Sequence, residues 1–308
     1  MKKIIIIISL NIFTYHLYAQ CCGAGNPISG FNNVSGISKN SLMISSFYKH
    51  SYSDQYFAGD TKADFNPDKM YYDYLSFGVA YGITKKISVN GELGYFFNKT
   101  KEYNIHNYSP LKGNGLGDLE LNMKYKLIEN VIERIDITPS IGIKLPIGVF
   151  DQEVDNVKLP ISLQPSSGSL KLNASVFATK KIADFSISVR GFFEYAKRIQ
   201  SKNFDYKYGN LYLLAIYGSY KFNEKISVLS QFRYEYREKS VRENSEIVQS
   251  TGGQVVYFIP QINYVIIKTF GVSIFADIPI YRYMNGMQVA NKYSVSIKLT
   301  KFFNLNKK

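Results

Sequence analysis

Tryptophan is absent from the 308-residue chain, cysteine occurs twice and histidine three times. Long apolar runs are also missing: beyond the N-terminal apolar segment no run reaches about 18 residues, which excludes a transmembrane helix. No glycine-rich loop follows a strand and opens a helix, which argues against a phosphate-binding enzyme. The two cysteines are adjacent and have no third cysteine to pair with, so a disulfide framework is excluded as well.

The scarcity of histidine limits the possible enzyme chemistry. His16 lies in the N-terminal segment, and His50 and His106 lie in or beside predicted external loops. A hydrolase would need a histidine with a nucleophile or carboxylate on a neighbouring strand, and His50 could meet Asp60 or Ser51. Solvated loop histidines are the commoner case. We therefore predict no catalytic residue and no enzyme activity.

The N-terminal residues 1–19 are organised like a secretory signal peptide. Lys2 and Lys3 form a positive region, an apolar run too short to span a bilayer as a helix follows, and Ala19 provides a small residue before cleavage. An uncleaved anchor is the less favoured alternative. We therefore predict that the chain is exported.

Cys21 and Cys22 follow the predicted cleavage point in a glycine-rich context. A lipoprotein signal requires a small residue before the modified cysteine, and Gln20 occupies that place, so lipid attachment is disfavoured. A mobile tail with an incidental thiol pair is the favoured interpretation. The alternative is a metal or redox site at the two thiols, which lacks the usual number of ligands. No metal and no cofactor is predicted.

Tyrosine and phenylalanine are abundant, with 26 and 21 residues, which is typical of β-structure with interfacial aromatic girdles. The formal charge is +13, and loss of Lys2 and Lys3 with the signal would lower it by two. An exported chain does not meet nucleic acid as its normal partner. A negatively charged membrane surface and anionic solutes are therefore the predicted partners, and nucleic acid is not.

Apolar and polar residues alternate through most of the chain, and the stretch 115–148 shows the pattern most clearly. Side chains alternate across a strand, so this stretch is predicted to form two amphipathic strands joined by a short connection. In its first half the apolar positions are Leu119, Leu121, Met123, Tyr125 and Leu127, and the polar ones are Glu120, Asn122, Lys124 and Lys126.

The whole pattern predicts an all-β fold, a transmembrane antiparallel up-and-down β-barrel of about 12 strands. Connections after even-numbered strands are short and those after odd-numbered strands are long, except for a short last hairpin near 283–286, and outer-membrane barrels share this arrangement. Strands in a bilayer must close because unpaired backbone groups cannot face lipid. The predicted strands lie near 40–50, 70–83, 85–97, 116–128, 133–146, 168–180, 183–197, 208–222, 224–238, 252–266, 268–281 and 288–303. The predicted segments are the signal peptide at 1–19, a flexible periplasmic segment at 20–39, the outer-membrane barrel at 40–303 and a tail at 304–308.

Charged residues collect on the face opposite the apolar one, which predicts a polar lumen. Either they form an ion-pair lattice that fills the barrel, or they line a narrow pore and select solutes. Twelve strands lie between a filled barrel and a wide aqueous channel, and a restricted channel is the favoured interpretation. Lys124, Arg190 and Arg233 are predicted to form the positive side of its constriction and to favour anions mildly. The lumen candidates are Glu92, Glu120, Lys124, Lys144, Lys171, Arg190, Glu194, Arg233, Glu235, Asp277 and Lys298.

The run G-L-G-D-L-E-L-N-M-K-Y-K-L, with Gly115, Gly117 and Asp118, resembles the glycine–aspartate strand motif of the meta-pathway phenol-degradation (MetA-like) barrels. These barrels are commonly labelled transporters. The segment Q-C-C-G-A-G-N-P is similar to the mature start of exported barrels of the same group. The resemblance implies an outer-membrane barrel and no established substrate. From turn preferences, Asp118 is predicted to cap backbone donors, with solute binding as the alternative.

These observations predict an outer-membrane barrel in the lipid bilayer that passes small polar or anionic solutes passively. The alternative is a closed structural or adhesive barrel without transport. The sequence does not indicate the solute or the oligomeric state.

Overall fold

The computed structural model describes residues 36–64, 68–104, 108–201 and 204–305. The predicted signal peptide, Cys21, Cys22 and His106 lie outside the described residues, as does most of the predicted periplasmic segment.

Twelve antiparallel strands form one closed sheet, in which each strand pairs with its neighbours in the chain and the last pairs with the first. The prediction of an all-β antiparallel barrel of about 12 strands is confirmed. The strands are β1 (Ser41–Ser53), β2 (Lys69–Gly82), β3 (Ile87–Glu102), β4 (Leu119–Tyr125), β5 (Ile135–Leu145), β6 (Lys171–Ile182), β7 (Phe185–Ala196), β8 (Leu211–Lys221), β9 (Ile226–Arg237), β10 (Gly253–Ile267), β11 (Phe270–Ala290) and β12 (Tyr293–Asn304).

Side chains alternate between the outside and the inside of the barrel along each strand, as the pleat of a strand requires. On β7, Ile187 and Val189 point outward with exposed fractions of 42% and 40%, whereas Ser188 and Arg190 point inward with 8% and 1%. The outer surface of β12 likewise exposes only apolar side chains from Tyr293 to Leu299. The barrel therefore has an apolar exterior and a polar, charged interior.

The two ends of the barrel differ in the length of their connections. One end carries both chain ends of the barrel and short turns; we call it the short-turn end. The other, the long-loop end, carries the longer connections, and the short last hairpin also lies there. The short turns are 83–86, 126–134, 183–184, 222–225 and 268–269, and the longer connections are 54–68, 103–118, 146–170, 197–210 and 238–252.

Short elements decorate these connections. No helix within the described ranges is long and apolar enough to cross a membrane. The additional strands are Gln55–Gly59, Thr61–Lys62, Leu111–Leu116, Ile128–Asn130, Glu153–Val154, Val157–Lys158, Ile199–Ser201, Phe204–Lys207 and Val241–Arg242, and two 3-10 turns cover Ile161–Leu163 and Glu243–Ser245.

The boundaries predicted for the last hairpin are wrong. Strand β11 continues to Ala290, because Gln55–Gly59 of the first long connection pairs with its final residues and extends the ladder. The predicted turn at Gly286 is instead an irregularity in this pairing, where Gly286 has a φ of 60°. The chain reverses at residues 291–292.

The fourth predicted strand is also shorter than expected. Its core is β4, which pairs with both β3 and β5, whereas each flanking segment pairs with one of them: Leu111–Leu116 with β3 and Ile128–Asn130 with β5. At the first break, Gly117 donates its backbone N–H to the carbonyl of Gly94, at 2.8 Å.

Candidate channel lumen

Four charged side chains from β4, β5, β6 and β7 meet inside the barrel; we call them the first ion-pair cluster. Lys144 Nζ lies 3.0 Å from Glu194 Oε2 and 3.4 Å from Glu120 Oε2. Lys171 Nζ lies 3.8 Å from Glu194 Oε1. The cluster has two cations and two carboxylates, and its side chains are nearly inaccessible, so the charges compensate one another within the wall.

The second ion-pair cluster comes from β1, β9 and β11. Arg233 Nε lies 2.7 Å from Glu235 Oε1, and Arg233 Nη2 lies 3.7 Å from Asp277 Oδ2. Lys49 donates a hydrogen bond to Asp277 from across the closing seam between β1 and β12. Lys49 was missing from the predicted candidates. Its alternation with Met43, a core residue of the same strand, is the signal that identifies it as inward-facing.

The remaining predicted candidates also face inward. Glu92 is 5% exposed and Lys124 8%, and Lys298 is partly buried on β12. Arg190 does not contact Glu194, the acidic lumen candidate on the same strand; Glu194 instead contacts the lysines of β5 and β6. Residues four apart on a strand are about 13 Å apart, whereas neighbours across strands lie within side-chain reach.

Apolar groups share the interior with these charges, which the expectation of a purely polar lumen does not include. One aromatic cluster joins Phe47, Tyr72, Tyr74 and Phe96, with Phe47 stacked on Phe275 at a ring separation of 5.7 Å. A second apolar cluster, formed by side chains of β7 and β8, surrounds Phe192. The position of these aromatic residues along their strands indicates that they point inward, but the composition alone predicts aromatic residues in the outer girdles.

Asp118 anchors a loop rather than its own turn. Its carboxylate accepts hydrogen bonds from Ser166 Oγ at 2.6 Å, from the backbone N–H of Ser167 at 3.0 Å and from Ser167 Oγ at 2.6 Å. The side chain does cap a backbone donor, but this donor lies 49 residues away in the connection between β5 and β6. Gly115 and Gly117 place the carboxylate at the break before β4.

The connection 146–170, which we call the mouth loop, folds into the long-loop end of the barrel. Leu163 packs with Met70, Tyr56 and Val289, which belong to the opposite wall and its loops. The Lys99 ammonium donates to the carbonyl of Gln164 at 2.9 Å. One cavity of about 10 Å³, about the space of one water molecule, lies between Ser162, Leu163 and the inner faces of β1 to β3. The mouth loop therefore crosses the entrance and restricts it.

Neighbouring connections hold the mouth loop in place. Tyr208, in the connection after β7, donates its hydroxyl to the carbonyl of Ser167 at 2.9 Å, and burial raises the pKa of this phenol well above its ordinary value. Phe150 and Phe204 meet edge to face at 5.6 Å. The mouth loop is thus held by Asp118, just before β4, and by the connection 197–210 that follows β7.

His50 lies on the outer surface, not in a cleft. Its Nδ1 is 2.8 Å from Asp73 Oδ1, which also accepts a hydrogen bond from Tyr48 at 2.6 Å. The predicted encounters with Asp60 and Ser51 do not form, because Ser51 follows His50 on the strand and points to the inside. In the described part of the chain, no group of three or more histidine, cysteine, aspartate and glutamate side chains is arranged to hold a metal ion.

The fold is shared with a known outer membrane protein. An outer membrane channel from Pseudomonas putida F1 superposes with a TM-score of 0.72, at 12% identity, over 90% of this chain and 100% of that one. The translocator domain of the autotransporter NalP from Neisseria meningitidis gives 0.48 at 10% identity, covering 87% and 90%, and the KdgM porin gives 0.44 at 11%, covering 82% and 97%. No family model and no curated protein matches the sequence, so the resemblance to MetA-like barrels stays a prediction. At such identities the likeness shows the fold.

Proposed function

We propose that this protein is an outer-membrane barrel that passes small polar or anionic solutes without an energy source, through a lumen whose mouth is restricted by the mouth loop. The apolar exterior supports the membrane location, because lipid-facing positions of such barrels are apolar and lumen-facing ones are polar.

The observation that carries the proposal is the charged lining of the interior. Buried charges are costly unless they are paired, and a wall that only had to fill space would be served as well by apolar side chains. Here two ion-pair clusters occupy separate walls of the barrel, with Arg190 on the intervening part of the lining. Charged linings are how narrow pores discriminate among solutes.

A closed structural barrel is the second candidate function. It is favoured by the low exposure of interior side chains such as Phe96 and Arg190, at 0% and 1%. The two candidates differ in what releasing the mouth loop does: a channel opens further, whereas a closed barrel stays closed.

Planar bilayers containing the purified protein test the proposal. We expect discrete, salt-dependent conductance steps, and larger steps for Asp118→Asn, because the amide accepts weaker hydrogen bonds from the two serines than the carboxylate does. Asp73→Asn is the matched control, since Asp73 accepts hydrogen bonds on the outer surface, and its steps should equal those of the wild type. Silence of both the wild type and Asp118→Asn in every salt would support the closed barrel.

A further inference from the structure

Arg190 differs from the other arginine of the lining in its contacts. Arg233 has two carboxylates near its guanidinium, at 2.7 and 3.7 Å. Among the described residues, no carboxylate oxygen lies within 4.0 Å of the Arg190 guanidinium. Its Nε and Nη2 have no hydrogen-bond partner within that same part of the protein, although the residue is only 1% exposed.

The two free nitrogens form one edge of the guanidinium. Nε–H and the nearer N–H of Nη2 point in the same direction, so together they present the parallel pair of donors that a carboxylate accepts in a bidentate contact. The edge is therefore prepared for a planar, singly charged oxyanion. Tyr217 hydrogen-bonds the guanidinium and Glu120 acts on it from a greater distance, but no described carboxylate contacts it, and a bound anion would offset the cost of burying the cation.

The surroundings of Arg190 indicate what the anion carries. The Phe192 ring lies 4.8 Å from the guanidinium carbon. Phe192 belongs to an apolar cluster with Leu211, Leu213, Ala215 and Tyr217, against which Phe177 and Leu229 also pack. An apolar chain or ring can pack against this surface, whereas the second charge of a dianion would be desolvated there without a partner.

We propose that Arg190 is the binding site for the carboxylate of a small solute with an apolar body. The carboxylate takes the Nε and Nη2 donors, and the apolar body packs along the cluster around Phe192. This inference rests on the proposed function, since it names the class of solute that the lumen selects, but binding at Arg190 can be measured without transport.

Hexanoate is the probe, with acetate and phosphate as comparison anions. In wild-type channels carrying chloride current, hexanoate should reduce the current at concentrations roughly tenfold lower than acetate, because only hexanoate adds apolar contacts. Arg190→Met should weaken the hexanoate effect roughly tenfold or more, as expected for the loss of a charge-assisted bidentate contact. Arg190→Lys keeps the charge but loses the parallel pair of N–H donors. The hexanoate effect on this variant should therefore lie between those on the wild type and on Arg190→Met.

Arg237→Met is the matched control, because the Arg237 guanidinium lines the same interior but already donates to the carbonyl of Gly209 at 3.3 Å. It should leave the hexanoate effect unchanged. Calorimetric titration of the detergent-solubilised proteins with hexanoate gives a second readout that needs no conductance. Equal hexanoate binding by the wild type and a folded Arg190→Met would overturn this proposal while leaving a conducting channel intact. If the protein does not conduct but hexanoate still binds in a way that depends on Arg190, the proposed transport is overturned and the binding site at Arg190 is supported.

Discussion

At the scale of single residues, the interior is organised by cations shared between carboxylates. Lys144 contacts Glu120 on the neighbouring strand β4 and Glu194 on β7, one strand beyond its other neighbour β6. One ammonium therefore links β4, β5 and β7 in a common electrostatic unit across the intervening β6. In the second cluster the sharing is reversed: the carboxylate of Asp277 contacts two cations, Lys49 on β1 and Arg233 on β9. Each cluster contains as many carboxylates as cations, so the positive net charge of the chain resides elsewhere, and it does not by itself make the lumen positive.

Removing the shared cation should be strongly destabilising. Lys144→Met removes the ammonium that contacts both Glu120 and Glu194, and leaves Glu194 with the more distant Lys171, so we expect a loss of about 3–5 kcal/mol in the free energy of unfolding. Urea unfolding of the barrel in bilayers measures it. Lys180→Met is the control: its contact with Glu133 is 3.9 Å long and the side chains are half exposed, so the change should be about 0–1 kcal/mol. Equal losses for both variants would contradict a stabilising role for the first cluster.

Much of the residue-level arrangement could be predicted from alternation alone. The parity of Glu120, Arg190 and Asp277 within their strands indicates an inward orientation, and the structure places them there. Their partners could not be predicted in the same way. Which residues meet across strands depends on the register of each pair, and a shift by one residue reverses the face. The anchoring of Ser167 by Asp118 depends on the path of a long connection, for which sequence periodicity gives no information.

At the scale of strands, β12 shows how closely one strand combines two environments. Ile297 faces outward and is 44% exposed, and the next residue, Lys298, faces the lumen. An arginine should therefore be costly at the first position and tolerated at the second.

Ile297→Arg should cost about 2–4 kcal/mol in the free energy of unfolding, because it places a guanidinium against the middle of the lipid belt. Lys298→Arg should change it by less than about 1 kcal/mol, since a cation already occupies this lumen position. Both values come from urea titrations in lipid vesicles of the same composition. A similar cost at the two positions would mean that the exterior of β12 does not face lipid.

Strand existence was predictable and strand ends were not. All twelve predicted strands correspond to strands of the barrel, because amphipathic alternation persists over their whole length. The end of β11 was missed because its last residues pair with Gln55–Gly59 rather than with a barrel neighbour. Asn285 and Gly286 have the composition of a tight turn, but the additional partner strand keeps the chain extended through them.

At the scale of the whole molecule, the closure of the sheet and the difference between the two ends of the barrel both follow from the pairing of twelve antiparallel strands. The ladder between β1 and β12, from Ser41 with Asn304 to Tyr52 with Tyr293, removes the last free edges of the sheet. Because the strand number is even, the start of β1 and the end of β12 both lie at the short-turn end. Exposed lysines gather there, in the turns that contain Lys85, Lys225 and Lys268, where they can meet lipid headgroups without being buried.

This arrangement predicts the orientation in the cell. Short turns of outer-membrane barrels face the periplasm and long loops face outward. An epitope inserted after Asn244, in the exposed connection between β9 and β10, should therefore be labelled by antibody on intact cells. The same epitope after Asn223, in the turn between β8 and β9, should be labelled only after the outer membrane is permeabilised. A folded barrel resists unfolding in detergent until it is heated, so a mobility shift on boiling shows that both insertions fold. Labelling of the Asn223 insertion alone on intact cells would reverse the orientation, and labelling of neither folded variant would contradict a surface-exposed long-loop end.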